Sequence, residues 1–139
     1  MSLGARYGPE HTDFTVWAPL RNHVELLLTG PKERTVAMER DDRGYWRTRV
    51  DNLPAGAGYR FRLDGADSWP DPASAYQPDG VHDASAVVDH DSFAWSDDGW
   101  TGMALRDMVQ YELHVGTFTA AGTFDAAIER LDNLKQLGV

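Results

Sequence analysis

The apolar residues of this 139-residue chain change period part-way along it, so one regular element type cannot account for the whole. From about Asp13 to Asp64 the period is two. Phe14 and Val16 alternate with Thr15 and Trp17 until Ala18-Pro19 stops the run. His23 to Leu28 forms a second run, closed by Gly30-Pro31, and Arg34 to Arg40 a third, with Val36 and Met38 on one face. Asp41-Asp42-Arg43-Gly44 predicts a hairpin turn, and Trp46, Thr48 and Val50 then alternate with arginines. After Pro54-Ala55-Gly56, the run Gly58 to Leu63 places aromatic or aliphatic side chains on one face and arginines on the other, and Asp64-Gly65 ends it. Short strands at intervals of about a dozen residues, separated by turn signals, predict an antiparallel sandwich.

Regularity fails between Ser68 and about Ser92, where Trp69-Pro70-Asp71-Pro72 and Gln77-Pro78-Asp79-Gly80 punctuate the chain. A long irregular loop in a compact domain is functional or is laid along another surface. Val87-Val88 predicts a short extended segment that docks back on the sandwich. Ser96 to Gly102 is polar and contains glycine, as a linker would.

Beyond the linker, Val109 to Val115 predicts a strand and Gly116 to Gly122 a loop. Phe124, Ala127, Ile128, Leu131, Leu134 and Leu137 then recur at three and four, the spacing of one helix face. Thr123 is placed as its N-cap and Gly138 as its C-terminal stop. A single strand–loop–helix unit cannot be a domain, because a parallel strand needs neighbours and the helix needs a sheet beneath it. The expectation is that this chain is the N-terminal part of a longer protein. The alternative is a sandwich carrying a helical tail.

Composition narrows the chemistry. The absence of cysteine rules out disulfide scaffolds, thiol catalysis and zinc ribbons. Twenty-two acids against 13 bases give a net charge of −9, which argues against a nucleic-acid phosphate partner. The sequence has no apolar run of membrane-spanning length and no signal-peptide pattern, so no membrane partner and a cytoplasmic location are expected. His82-Asp83 and Asp89-His90-Asp91 match no metal-ligand spacing, so neither a metal nor a cofactor is expected.

The aromatic residues carry more information. Flat aromatic side chains suit the apolar face of a sugar ring. Trp46, Tyr59 and Phe61 fall on inward strand positions, and Trp17 is also assigned to core or packing. Trp69, Trp95 and Trp100 lie in loop or linker; they are the candidate sugar platforms, with contact to a neighbouring domain as the alternative. On the predicted strand, Gln110, Glu112 and His114 share the face opposite Val109, Tyr111, Leu113 and Val115. In a barrel this polar set would point inward. His114 would then lie near the pocket mouth, or it and Glu112 would form a buried, orienting polar pair.

The runs Phe14-Thr15-Val16-Trp17-Ala18-Pro19, Gly44-Tyr45-Trp46 and Gly58-Tyr59-Arg60-Phe61-Arg62-Leu63-Asp64-Gly65 resemble the early-set sandwich, or family 48 carbohydrate-binding module, that precedes the barrel of glycogen-branching and debranching enzymes. The run Val109 to Thr119 resembles the first barrel strand of family 13 glycoside hydrolases. Within that family, the loop Pro70 to His82, with Ser85 and Val87-Val88-Asp89, and Gly122-Thr123-Phe124 are similar to the malto-oligosyltrehalose trehalohydrolases rather than to the branching enzymes. The resemblance implies an all-β class. An immunoglobulin-like antiparallel β-sandwich would occupy residues 8–96 and a linker 97–108, with the first βα unit of a truncated (β/α)8 barrel at 109–139.

The same resemblance implies a parent enzyme that cleaves the α-1,4 bond next to trehalose in maltooligosyl-trehalose, by a retaining mechanism with two carboxylates. It places those carboxylates on later barrel strands, so no catalytic residue is assigned here. The sandwich itself would be structural or weakly glucan-binding, with α-1,4-glucan as partner; the alternatives are the N-terminal module of a branching or debranching enzyme and a stand-alone α-glucan-binding module. The exposed apolar faces of the strand–helix unit would favour self-association.

Overall fold

The computed structural model describes residues 2–30 and 32–139 and divides into two units, Met1–Ala94 and Trp95–Val139. The first unit is a sandwich of two antiparallel sheets. Strands β1 (Gly4–Arg6), β2 (His11–Trp17), β6 (Tyr45–Asp51) and β5 (Glu39–Arg40) form one sheet in the order β1-β2-β6-β5. Strands β4 (Arg34–Ala37), β3 (Val24–Leu28), β7 (Gly58–Leu63) and β8 (Ser68–Trp69) form the other in that order, and β9 (Ser85–Ala86) also pairs with β7.

The alternation seen in the sequence becomes the core. Phe14, Val16, Val24, Leu26, Leu28, Trp46, Val50, Tyr59 and Phe61 are all buried between the sheets. Each such side chain contributes on the order of 1.5–3 kcal/mol relative to exposure. Tyr59 is central: its ring lies edge-on to Phe14 at 4.9 Å and to Phe61 at 5.8 Å. The arginines of β7 point outward and are all engaged. Arg62 Nε bonds Glu25 at 2.7 Å, and Arg60 reaches Ser68 and the His82 carbonyl.

Three expectations need correcting in this unit. The run Arg34–Arg40 is not one strand. It breaks at Met38, whose N–H makes a last bond to the Val24 carbonyl, and the chain then crosses to the opposite sheet as β5. Met38 is buried at the crossing, and no local signal marks it. Trp17 is not core: it stands on the outer face of β2 and is 57 % exposed. Trp69 is not in a loop but on edge strand β8, paired with Phe61. In addition, β1 brings residues ahead of Gly8 into the sandwich. The Gly30-Pro31 stop falls partly on Pro31, which lies outside the described residues.

The turns follow their chemistry. Asp41 accepts from the N–H groups of Arg43 and Tyr45, closing the predicted hairpin. Gly44 sits at φ 83° beneath Pro19, where a Cβ would lie 2.6 Å from the proline Cα. Glycine is required there on both counts.

The second unit contains α1 (Val115–Phe118), α2 (Phe124–Ile128) and α3 (Leu131–Leu137). Thr123 caps α2 by accepting from the Ala126 N–H, and Gly138 ends α3 at φ 92°, both as expected. The continuous helix expected over this stretch is instead interrupted at Glu129–Arg130. Val109–Val115 forms no strand. His114 has an extended backbone, but a strand exists only as part of a ladder, and no segment pairs with this one among the described residues. Among the described residues, Ala127 is the only buried hydrophobic one in this unit.

Candidate functional site

The loop between β8 and β9 is fixed by a buried polar cluster, and that cluster positions the aromatic edge of the sandwich. Tyr59 Oη donates to Asp71 Oδ2 at 2.7 Å. Asp71 Oδ1 accepts from the Ala73 N–H at 2.8 Å, and the Asp71 N–H donates to Ser85 Oγ at 3.0 Å. Asp71 and Ser85 are both buried. Burial pushes the Asp71 carboxyl above the usual carboxylate range, and the bonds from Tyr59 and Ala73 oppose that shift. Burial and the neighbouring Asp71 push the Tyr59 phenol well above its ordinary value, so its proton is held.

Outside the core, Arg60 clamps the same loop to the sheet. Its Nη2 donates to the Ser68 carbonyl at 2.8 Å, its Nε to Ser68 Oγ at 3.1 Å and its Nη1 to the His82 carbonyl at 3.0 Å. Trp69 follows Ser68 directly and is 58 % exposed at the sheet edge. Tyr76 and Val81, in the clamped loop, are exposed as well. An exposed indole on a rigid edge beside a pinned loop can stack against a flat apolar ligand face while neighbouring polar groups bond its rim.

Trp95, Trp100, Glu112 and His114 belong to the second unit, and all four side chains are exposed. The His114 carbonyl accepts from the N–H groups of Thr117 and Phe118, which starts α1. Gly116 lies against the His114 ring, where a Cβ would meet Cε1 at 3.0 Å. Glu112 has no enclosing barrel around it within this chain. Among the described residues, no group of three or more histidine or acidic side chains could hold a metal ion, and no helix is long and apolar enough to cross a membrane.

Residues 2–77 match the family of carbohydrate-binding module 48, the isoamylase N-terminal domain. The chain belongs to this family. Its relatives extend the similarity beyond the module. It is 41 % identical over all 139 residues to a malto-oligosyltrehalose trehalohydrolase of Saccharolobus solfataricus, and 53 % identical over 132 residues to one of Deinococcus radiodurans. The chain spans 24 % and 21 % of the length of these two proteins, with 100 % and 95 % of itself covered. Among solved structures, it is similar to a putative alpha amylase from Salmonella typhimurium, with a TM-score of 0.83 and 39 % identity, over 99 % of this chain and 23 % of that one.

Sequence reasoning missed two residues that shape this edge: Asp71 as the buried anchor and Arg60 as the outer clamp. Asp71 carried a signal, since an aspartate between two prolines beside a tryptophan is an unusual place for a solvated charge. Arg60 carried none, because its partners are separated from it by up to 22 residues.

Proposed function

We propose that this chain is the glucan-binding module and the opening segment of the catalytic barrel of a trehalose-releasing α-glucan hydrolase. The observation that carries the reading is the identity to trehalohydrolases across all 139 residues, which includes 95–139 as well as the module. On this reading residues 8–96 are the sandwich, 97–108 the linker and 109–139 the first strand and helix of the barrel. The parent hydrolyses the bond next to trehalose in maltooligosyl-trehalose, in the cytoplasm, as a step that makes trehalose. The hydrolytic carboxylates belong to barrel strands outside this sequence, so the chain alone has no hydrolase activity.

Within the chain, Trp69 is the sugar platform of the module. Trp95, Trp100 and His114 approach substrate only once the barrel closes around them, and Glu112 then points inward as a structural group. Until that closure, Trp100, Val109, Tyr111, Leu131 and Leu137 are exposed apolar surface, which favours self-association of 1–139.

Calorimetric titration of 1–139 with maltoheptaose, combined with a trehalose-release assay on maltooligosyl-trehalose, tests the reading. Saturable binding that loses its Trp69 contribution in Trp69→Ala, with no trehalose released, is expected. A flat titration overturns the glucan-binding role, and trehalose release by 1–139 overturns the placement of the chemistry outside it.

A further inference from the structure

The sandwich has a second exposed indole, on the face of the other sheet. We infer that the outer face of the β1-β2-β6-β5 sheet is a second oligosaccharide site, built on Trp17; the inference rests on reading the module as glucan-binding. Trp17 is the outward residue at the end of β2, and its exposure is not that of a residue awaiting the core: Phe14 and Val16 fill the inner face of the same strand. Its indole is held in place, with Nε1–H donating to the Arg43 carbonyl at 3.2 Å. Tyr45 is its register partner on β6, and the Arg47 guanidinium lies 5.4 Å from the centre of the Tyr45 ring. One end of the face is therefore aromatic and rigid.

The rows next to it are polar. Thr15 stands opposite Arg47, and Asp13 opposite Arg49. Arg49 grips Asp13 with both prongs, Nε to Oδ1 at 2.7 Å and Nη2 to Oδ2 at 3.0 Å, while Arg47 bonds Asp41 at 2.8 Å. A cleft of about 620 Å³ runs over these rows, lined by Gly4, Arg6, Asp13, Thr15, Glu39 and Arg49 among others. From Trp17 to Asp13 the strand covers ~14 Å at about 3.4 Å per residue. That is room for an oligosaccharide rather than a monosaccharide.

The charge pattern selects the ligand class. Arg47 pairs with Asp41 and Arg49 with Asp13, and Arg6 and Glu39 add one charge of each sign to the cleft, so its charges balance and no strong net field is left to attract an ion. What remains is an array of fixed, planar donors and acceptors beside an apolar ring, which suits neighbouring hydroxyls on a neutral sugar. A dry protein interface is disfavoured, because it would desolvate several ion pairs to gain one aromatic row. A hydrated glucan leaves those pairs wet.

The test is titration of isotope-labelled 1–139 with maltoheptaose, followed by amide and indole N–H chemical shifts, with the five indole signals assigned from single Trp→Phe variants. The inference expects saturable shifts of the Trp17 indole and of the amides of 13–17 and 45–49. Trp17→Ala should weaken binding at this face by about tenfold while leaving shifts at Trp69 unchanged. If Trp17→Ala does not fold, Arg49→Gln serves, since Arg49 lies on the surface of the cleft. Shifts at Trp69 alone overturn the second site and leave the module reading intact. Shifts at Trp17 alone support the second site and overturn the Trp69 platform. No shifts at either overturn both. Shifts of 13–17 that follow protein concentration without sugar identify a self-contact and overturn the inference.

Discussion

Replacing Tyr59 by phenylalanine isolates the buried polar cluster from the hydrophobic core around it. The ring keeps its edge-on contacts with Phe14 and Phe61, so little packing is lost. What disappears is the 2.7 Å bond to Asp71 Oδ2, leaving the buried carboxylate with the Ala73 N–H. A hydrogen bond to a charged acceptor contributes about 1.5–3 kcal/mol, and an orphaned buried group adds to the cost of removing it. Near neutral pH the expected loss is therefore about 2–3 kcal/mol, or a fall in Tm on the order of 10–20 °C for a domain of this size.

The pH dependence distinguishes this mechanism from simple packing loss. Asp71 has a folded-state pKa raised above its unfolded value. The penalty for holding it ionised is present above the folded pKa and is relieved as pH falls through it, because the native state then binds the proton more readily than the unfolded chain. Removing the Tyr59 donor raises that pKa further, so the deficit of Tyr59→Phe should shrink on acidification from neutral toward the raised Asp71 value. Urea unfolding of native and variant chains at a series of pH values measures this. A deficit below about 0.5 kcal/mol at neutral pH, or one independent of pH, refutes the account.

Other substitutions probe separate features. Gly44→Ala places a Cβ against Pro19 at a positive φ and should cost more than about 2 kcal/mol, seen as a large drop in Tm. Among the described residues Thr12 Oγ1 is buried without a partner, so Thr12→Val should stabilise the sandwich by about 1 kcal/mol in a denaturant titration. Asp13→Asn breaks an exposed cross-strand pair and should cost less than about 1 kcal/mol, with a smaller effect at high salt. The lowered Asp13 carboxyl, held down first by its bond from Arg49, adds stability that is present above the unfolded value and is lost as pH falls through the folded one. The cost of Asp13→Asn should therefore vanish in strong acid.

Much of the sandwich was legible because strand geometry is local. Side chains alternate faces by backbone geometry alone, so Phe14 with Val16, and Tyr59 with Phe61, could be paired onto inner faces before any sheet was known. The same rule placed Trp17 on the opposite face from Val16. Assigning it to core or packing gave weight to residue type over pattern. The caps Thr123 and Gly138 were also readable, since capping depends on a few adjacent backbone groups. Of the candidate site, Trp69 was legible only as an aromatic in an irregular segment, and its place on an edge strand depended on pairing with Phe61.

Only the tertiary structure decided which surfaces are covered and which segments find partners. The crossing at Met38, the Tyr59–Asp71–Ser85 cluster and the Arg60 clamp join residues distant in sequence, and no local period records such meetings. Val109–Val115 has the composition of a strand, yet no described segment pairs with it, and without a ladder the segment has no strand to be. The amino-acid sequence by itself set the alternation, the turns and the family. The fold determined how the sandwich closes, and with it the exposure of Trp69 at an edge and Trp17 on a face, because burial depends on what comes to lie opposite a residue.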